Sequence, residues 1–390
     1  MKKPFLYKLK NNLPIVFIEN KNISYVSIGF KVKAGSNYET PNDIGTAHLV
    51  EHLILSKDIE LLQKYGGKVW GVTSRDDCYI YIKVLKEYIE EALKYLSKII
   101  TNDNYSEEDL NIQKEIIKHE IKRSLSNPEK IILRRSYRTM YPRTRMESLN
   151  TGEREDIDKV TLEMCNVFKE KHYTTTNAVL GIIGNIEKEE LQILTQKYLG
   201  KLPKGRNIDI PILNQATDYR IETIKGNYNQ IHIKIDYEGF TFNNKKRYAL
   251  TLLTNIVDQY LNKKFRNEQH KAYVISAKDF YSQSFGTFSI YTATDTKDII
   301  KEINDELLNV KNILQEIDLN VVKLNVISEL VFSLENPSQL VDFYSTGYLT
   351  HNLVTIDQEI KNYKAVTEND IFNVYNHIVN QHQKITILEY

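Results

Sequence analysis

The chain predicts an α+β fold made of two homologous repeat domains, each a mostly antiparallel sheet packed with helices. Three observations predict it. Short alternating apolar runs and longer amphipathic stretches follow one another along the whole chain. Their order starts again past the middle. The restart follows Gly200-Lys201-Leu202-Pro203-Lys204-Gly205-Arg206 through Pro211, which concentrates Gly, Pro and charge as a linker does. With 390 residues, the chain suits two or three domains of about 100–200 residues each. The expected division is 1–205, a linker at 206–215, and 216–390.

In order, residues 13–18 and 25–32 read as strands, the second alternating as a half-buried strand should. A helix is expected over 45–65, stopped by Gly66-Gly67. Residues 78–84 are extended again. Helices follow near 86–100 and 106–125, the second with Ser106 as N-cap, an acidic first turn, and Pro128 just past its end. A helix at 161–172, an apolar strand at 178–183 and a helix to Leu199 complete the first half. The strand at 230–235 replays the one at 25–32, and a helix at 245–264 replays the one at 45–65. Val160-Thr161 and Val366-Thr367 each lead a helix and then an apolar strand.

Composition narrows the class. Lys plus Arg number 52 against 51 Asp plus Glu, which lacks the basic excess of a nucleic-acid binder. No run approaches the roughly 20 apolar residues of a membrane span. The start, Met1-Lys2-Lys3-Pro4-Phe5, is followed by charge and polarity rather than a secretory h-region. Cys78 and Cys165 are too few for a disulfide framework or a Cys-based zinc site. The expectation is a cytoplasmic protein without nucleic-acid or membrane partners. The 26 tyrosines carry no functional reading.

The chemistry concentrates in Gly45-Thr46-Ala47-His48-Leu49-Val50-Glu51-His52-Leu53. On a helix, His48 and His52 project from one face a turn apart, the geometry for two nitrogen ligands on one zinc ion. Glu51 borders that face and is placed to take a proton without being a ligand; this is His-Glu-x-x-His in reverse. A catalytic site needs a third ligand, and the 106–125 helix offers Glu115, His119 and Glu120. By chemistry alone the choice among the three is open. Glu120 flanks an apolar stripe of Ile116, Ile117 and Ile121, whereas His119 lies about 100° round the helix from Glu120.

These residues resemble the pitrilysin/insulinase family of inverzincin peptidases, and in particular its short processing-peptidase-like bacterial members. The resemblance runs end to end: Ala34-Gly35-Ser36, Glu39 and Gly45 before the motif, Gly66-Gly67 and Thr73 after it, then 115–121, Asn177-Ala178-Val179 through Gly184-Asn185, and Tyr198-Leu199-Gly200-Lys201-Leu202-Pro203. It implies that His48, His52 and Glu120 hold one Zn2+ per chain, with Glu51 as general base. It implies also that Arg266 and Tyr273, seven residues apart, reach across a chamber to the scissile carbonyl as hydrogen-bond donors. The segment Trp70, Gly71, Val72 and Thr73 corresponds to the edge strand to which a peptide adds. Two positions depart from the family. Its Asn-Ala after the glycine pair is here Trp70-Gly71, and its Glu seven residues before the third ligand is here Gln113.

The resemblance implies a zinc-dependent endopeptidase cutting peptides or unfolded segments. Long family members close four repeats as a clamshell; this chain has the length for half of one. A homodimer is therefore expected, each chain lending Arg266 and Tyr273 to the other, with a heterodimer of related chains as the alternative. The competing functions are a maturation protease for one precursor or leader peptide, and a non-catalytic peptide-binding subunit. His172, His232, His270, His351, His377 and His382 lack ligand spacing and are expected to be structural.

Overall fold

The computed structural model describes residues 3–211, 213 and 215–390. The chain divides into two compact units. The first collects Met1–Ile121, Leu149–Pro211 and Phe332–Ile356; the second collects Lys122–Ser148, Ile212–Val331 and Asp357–Tyr390.

The first unit holds six strands: β1 (Phe5–Lys8), β2 (Pro14–Glu19), β3 (Tyr25–Val32), β4 (Lys68–Thr73), β5 (Cys78–Leu85) and β6 (Ala178–Gly184). They lie in the order β1-β2-β6-β3-β5-β4. The second holds β7 (Arg220–Lys225), β8 (Ile231–Glu238), β9 (Ala272–Tyr281), β10 (Gly286–Thr294) and β11 (Lys384–Glu389), in the order β7-β11-β8-β10-β9. Only β2/β6 and β7/β11 pair in parallel among the described strands. Set β1 aside and the two sheets have one topology, which bears out the expected duplication.

Period-two alternation explains how each sheet is covered. On β3, Val26, Ile28, Phe30 and Val32 enter the apolar core of the first unit. Ser27, Gly29 and Lys31 take the opposite face, and there the Pro337–Leu349 helix packs against β3 and β6. Lys31 Nζ donates to Asp342 Oδ1 and Thr346 Oγ1 of that helix, both at 2.7 Å. In the second unit the corresponding face of β8 and β11 is covered by the Pro128–Met140 helix. Each unit thus completes its sheet with a helix from a distant stretch of chain.

Local signals account for most boundaries. Thr161 and Thr367 are both N-caps, accepting from Met164 N and Asp370 N, so the two Val-Thr pairs mark equivalent helix starts. Pro128 does not merely follow a helix. It opens the Pro128–Met140 helix, capped by Asn127, because a first-turn proline has no intrahelical N–H to lose. The helix expected over 45–65 is shorter: it ends at Leu55, Asp58 turns the chain at φ +58°, and a single turn follows at Glu60–Gln63. Among the described residues, no helix is long and apolar enough to cross a membrane.

Candidate metal centre

The Thr46–Leu55 helix carries the histidines, and its start is held from outside. Gly45 precedes it at φ +91°, a conformation that favours glycine, and offers no capping side chain. The buried Glu39 supplies the cap instead. Its Oε2 accepts from Gly45 N at 3.0 Å and its Oε1 from Ala47 N at 2.8 Å. A carboxylate there also complements the positive end of the helix dipole. Leu49, Val50, Leu53 and Ile54 anchor the helix in the core, leaving His48 and His52 edge to face on the other side with ring centroids 4.5 Å apart.

The Glu107–Ser124 helix lies across from them. Leu110, Ile117 and Ile121 are buried and fix its rotation. Ile116 belongs to the exposed side, contrary to the apolar stripe expected around Glu120. An ion pair at 2.6 Å ties Lys57, just past the end of the histidine helix, to Asp109 in the first turn of this one, and Lys57 holds the Asp109 carboxyl at about 2. This docking brings Glu120 to the histidines. His48, His52 and Glu120 each offer a ligand atom within 4.8 Å of the others. Glu120 Oε2 lies 3.9 Å from His48 Nε2 and 3.7 Å from His52 Nε2. Those separations are too long for hydrogen bonds. They are slightly wider than the roughly 3.3 Å between donors sharing a tetrahedral ion at about 2.0 Å. Glu115 points elsewhere, paired with Lys118 at 2.8 Å, and His119 is exposed.

The electrostatics suit a cation. Burial, then the neighbouring His52, lowers His48 to about 3, so its imidazole is neutral with a free lone pair. Its buried Nδ1 has no hydrogen-bond partner among the described residues. Gln113 Oε1 is 3.2 Å from His52 Nδ1; a proton on Nδ1 leaves the Nε2 lone pair facing Glu120. Two imidazoles and a carboxylate fit zinc by donor chemistry.

Glu51 is buried beside this group, its Oε2 4.0 Å from His48 Nε2. Burial pushes its carboxyl above the usual carboxylate range, opposed by a hydrogen bond from Thr73 and by His52. Thr73 Oγ1 donates to Oε2 at 2.7 Å. β4 is the end strand of its sheet, paired with β5 on one side. Alternation turns Gly71 and Thr73 toward Glu51. It turns Trp70 and Val72 to the opposite face, exposed, with Trp70 against Tyr81 at 4.1 Å between centroids.

Arg266 and Tyr273 belong to the second unit. Arg266 is exposed in the π-helical turn Asn262–Glu268, and Tyr273 is exposed near the start of β9. Of the remaining histidines, His172 is fully buried between Phe168 and Tyr38, its Nδ1 on the Lys33 carbonyl. The capping role of Glu39 and the grip of Thr73 on Glu51 have no signal in local spacing, since each partner comes from another element.

Fold and cluster together define an α+β protein built on a duplicated unit, with a candidate mononuclear metal centre in its first copy. The pattern described as Insulinase (Peptidase family M16) matches residues 15–152, and that described as Peptidase M16 inactive domain matches residues 159–326. The chain belongs to this insulinase family. It is 25% identical to a Rickettsia felis protein named an uncharacterized zinc protease, over 97% of this chain and 96% of that one. It is 23% identical to the mitochondrial-processing peptidase subunit beta of Saccharomyces cerevisiae, over 93% of this chain and 86% of that one. The crystal structure of a protease from Helicobacter pylori superimposes with a TM-score of 0.91 at 19% identity, covering both chains fully, and so shares the fold.

Proposed function

We propose that the protein is a zinc-dependent endopeptidase acting on peptides or unfolded segments, with its catalytic group in the first unit. One observation carries the reading: three ligand donors converge while a fourth, buried carboxylate, Glu51, stands beside them outside the ligand set. In this reading His48, His52 and Glu120 hold the metal. A zinc ion bound there supplies Lewis acidity toward the scissile carbonyl and makes water acidic near neutral pH. Glu51 takes the proton of the attacking water and returns it to the departing amine. Its raised proton affinity suits both transfers.

The free edge of β4 receives the substrate by backbone pairing, which selects extended chain over folded protein. Trp70 and Val72 lie on the face of β4 away from Glu51, so their contribution is apolar contact with substrate side chains on that face. Arg266 and Tyr273 donate hydrogen bonds to the developing oxyanion, supplied by the second chain of a homodimer. A narrower reading, a maturation protease working with a related chain, is favoured by the relative named as one subunit of a processing peptidase.

The test is cleavage of a generic unfolded peptide by the purified protein and by Glu51→Gln, with zinc measured in both. Zinc in both and cleavage by wild type alone is the expected result; removing one general base lowers rates by about 10²- to 10⁴-fold. Zinc in both without cleavage favours the narrower reading. Absence of zinc from both sinks the catalytic one.

A further inference from the structure

We propose that strand β4 positions the general base: Thr73 holds the Glu51 carboxylate by hydrogen bond, and Gly71 vacates the space that carboxylate occupies. The inference rests on the peptidase reading and deepens it, because the strand that receives the peptide then also aims the group that acts on it. Thr73 is a positioning residue here, since it works through Glu51.

The hydrogen bond from Thr73 Oγ1 at 2.7 Å is the one the Glu51 side chain makes among the described residues. A glutamate has three side-chain torsions, and a buried carboxylate without that donor has nothing polar on β4 to hold it in one rotamer. One oxygen is thereby held while the other keeps its lone pairs for a proton. Gly71 completes the seat. A Cβ at that position would stand 2.4 Å from Glu51 Oε1 and 2.6 Å from Leu55 Cδ1, closer than real contacts allow. The carboxylate lies against the strand because residue 71 has no side chain.

The topology gives this contact a consequence. β4 has a neighbour on one side only, so its six residues depend on β5 alone for their hydrogen-bonded order. A peptide pairing along the free edge gives β4 a second neighbour. The order it gains passes to Glu51 directly through Thr73, with no intervening side chain. Thr73 already holds the base before substrate arrives, and a peptide docked as a strand steadies that hold.

Kinetics, binding and structure test this together. Thr73→Val keeps the branched shape and removes the donor; Thr73→Ser keeps the donor. Losing a hydrogen bond to a charged group corresponds to roughly 10- to 100-fold. Thr73→Val is expected to lose that much in kcat with KM unchanged, and Thr73→Ser to stay within a few-fold of wild type. Peptide affinity is read from the emission of Trp70, the chain's one tryptophan, using a Trp-free peptide in the Glu51→Gln background. It is expected to be equal with and without Thr73→Val. A crystal structure of Thr73→Val is expected to show Glu51 turned from its seat against β4. Thr73→Val cutting as fast as wild type beside an inactive Glu51→Gln overturns this inference alone. So does a loss of peptide affinity that matches the loss of rate, since Thr73 would then hold substrate rather than base. Glu51→Gln cutting as fast as wild type overturns the inference and the peptidase reading together.

Discussion

In the first unit, the Thr46–Leu55 helix is tied to its edge strand β4 by Thr73 donating to Glu51. In the second, the Lys246–Leu261 helix is tied to its edge strand β9 by Thr251, whose hydroxyl donates to Asp279 Oδ2 at 2.6 Å. Asp258 of that helix also accepts from Ala277 N at 2.8 Å. The device is shared and its direction reversed: the carboxylate sits on the helix in one unit and on the strand in the other. Around it the residues differ. The first unit sets two histidines and Glu120 beside the tie, whereas among the described residues no metal-competent group occurs in the second. There, a buried pair of Arg247 and Glu359 at 2.6 Å, joined by the Tyr248 hydroxyl, spends its charge on itself. Fastening helix to edge strand is thus a property of the repeated fold, and the candidate metal centre is a property of a few side chains in one copy.

The comparison breaks most decisively at Glu120. Glu120→Gln is expected to cut zinc content to a small fraction of one per chain and to abolish cleavage, while circular dichroism and the unfolding midpoint stay near wild type. The carboxylate's loss leaves the buried faces Leu110, Ile117 and Ile121 untouched. Full zinc occupancy in that variant, measured by mass spectrometry of the metal, would place the site elsewhere.

A smaller effect comes from pH. Burial lowers His172 of the first unit to about 4, below its ordinary 6.5. Above about pH 6.5 both folded and unfolded states keep this imidazole neutral, and it does not affect stability. As pH falls from there toward 4, the unfolded chain takes up the proton and the folded one resists. The fold then loses on the order of 3 kcal/mol from this group alone. Denaturant unfolding between pH 7.5 and 5 is expected to show about 2 kcal/mol of that decline in wild type and a shallower slope in His172→Gln. Equal slopes in the two proteins would refute the assignment.

The smallest expected change sharpens the comparison from the other side. Thr251→Val removes the corresponding tie in the second unit and is expected to cost about 1–3 kcal/mol of stability, leaving a part-buried carboxylate short of a donor. Zinc content and kcat should not move. A fall in kcat with zinc retained would show that the second unit's tie, too, serves the reaction.

Much of this was legible from local pattern. The four-residue spacing of His48 and His52, the threonine caps at Thr161 and Thr367, and the repeated order of strands all rest on helix period, capping and alternation, which act over a few residues. The places where the reading failed are equally specific. Asp58 broke the helix expected to run to 65, and Pro128, which lies just past the Glu107–Ser124 helix as expected, also opens a helix that was not expected. Both residues suit more than one local conformation, and the chain around them decides.

From its sequence alone, then, this protein reads as a duplicated α+β chain with His48, Glu51 and His52 gathered on one side of a helix. The tertiary structure decided which of Glu115, His119 and Glu120 meets those histidines, because rotation of that helix is set by burying Leu110, Ile117 and Ile121. It decided that Glu39 caps the histidine helix, that Thr73 and Gly71 seat Glu51, and that Trp70 turns to the other face. It also decided which unit the Pro128–Met140 and Pro337–Leu349 helices complete. The physical reason is range. Periodicity and caps are satisfied within a turn or two, whereas these contacts pay their ordering entropy only when segments far apart in the chain dock on a common core.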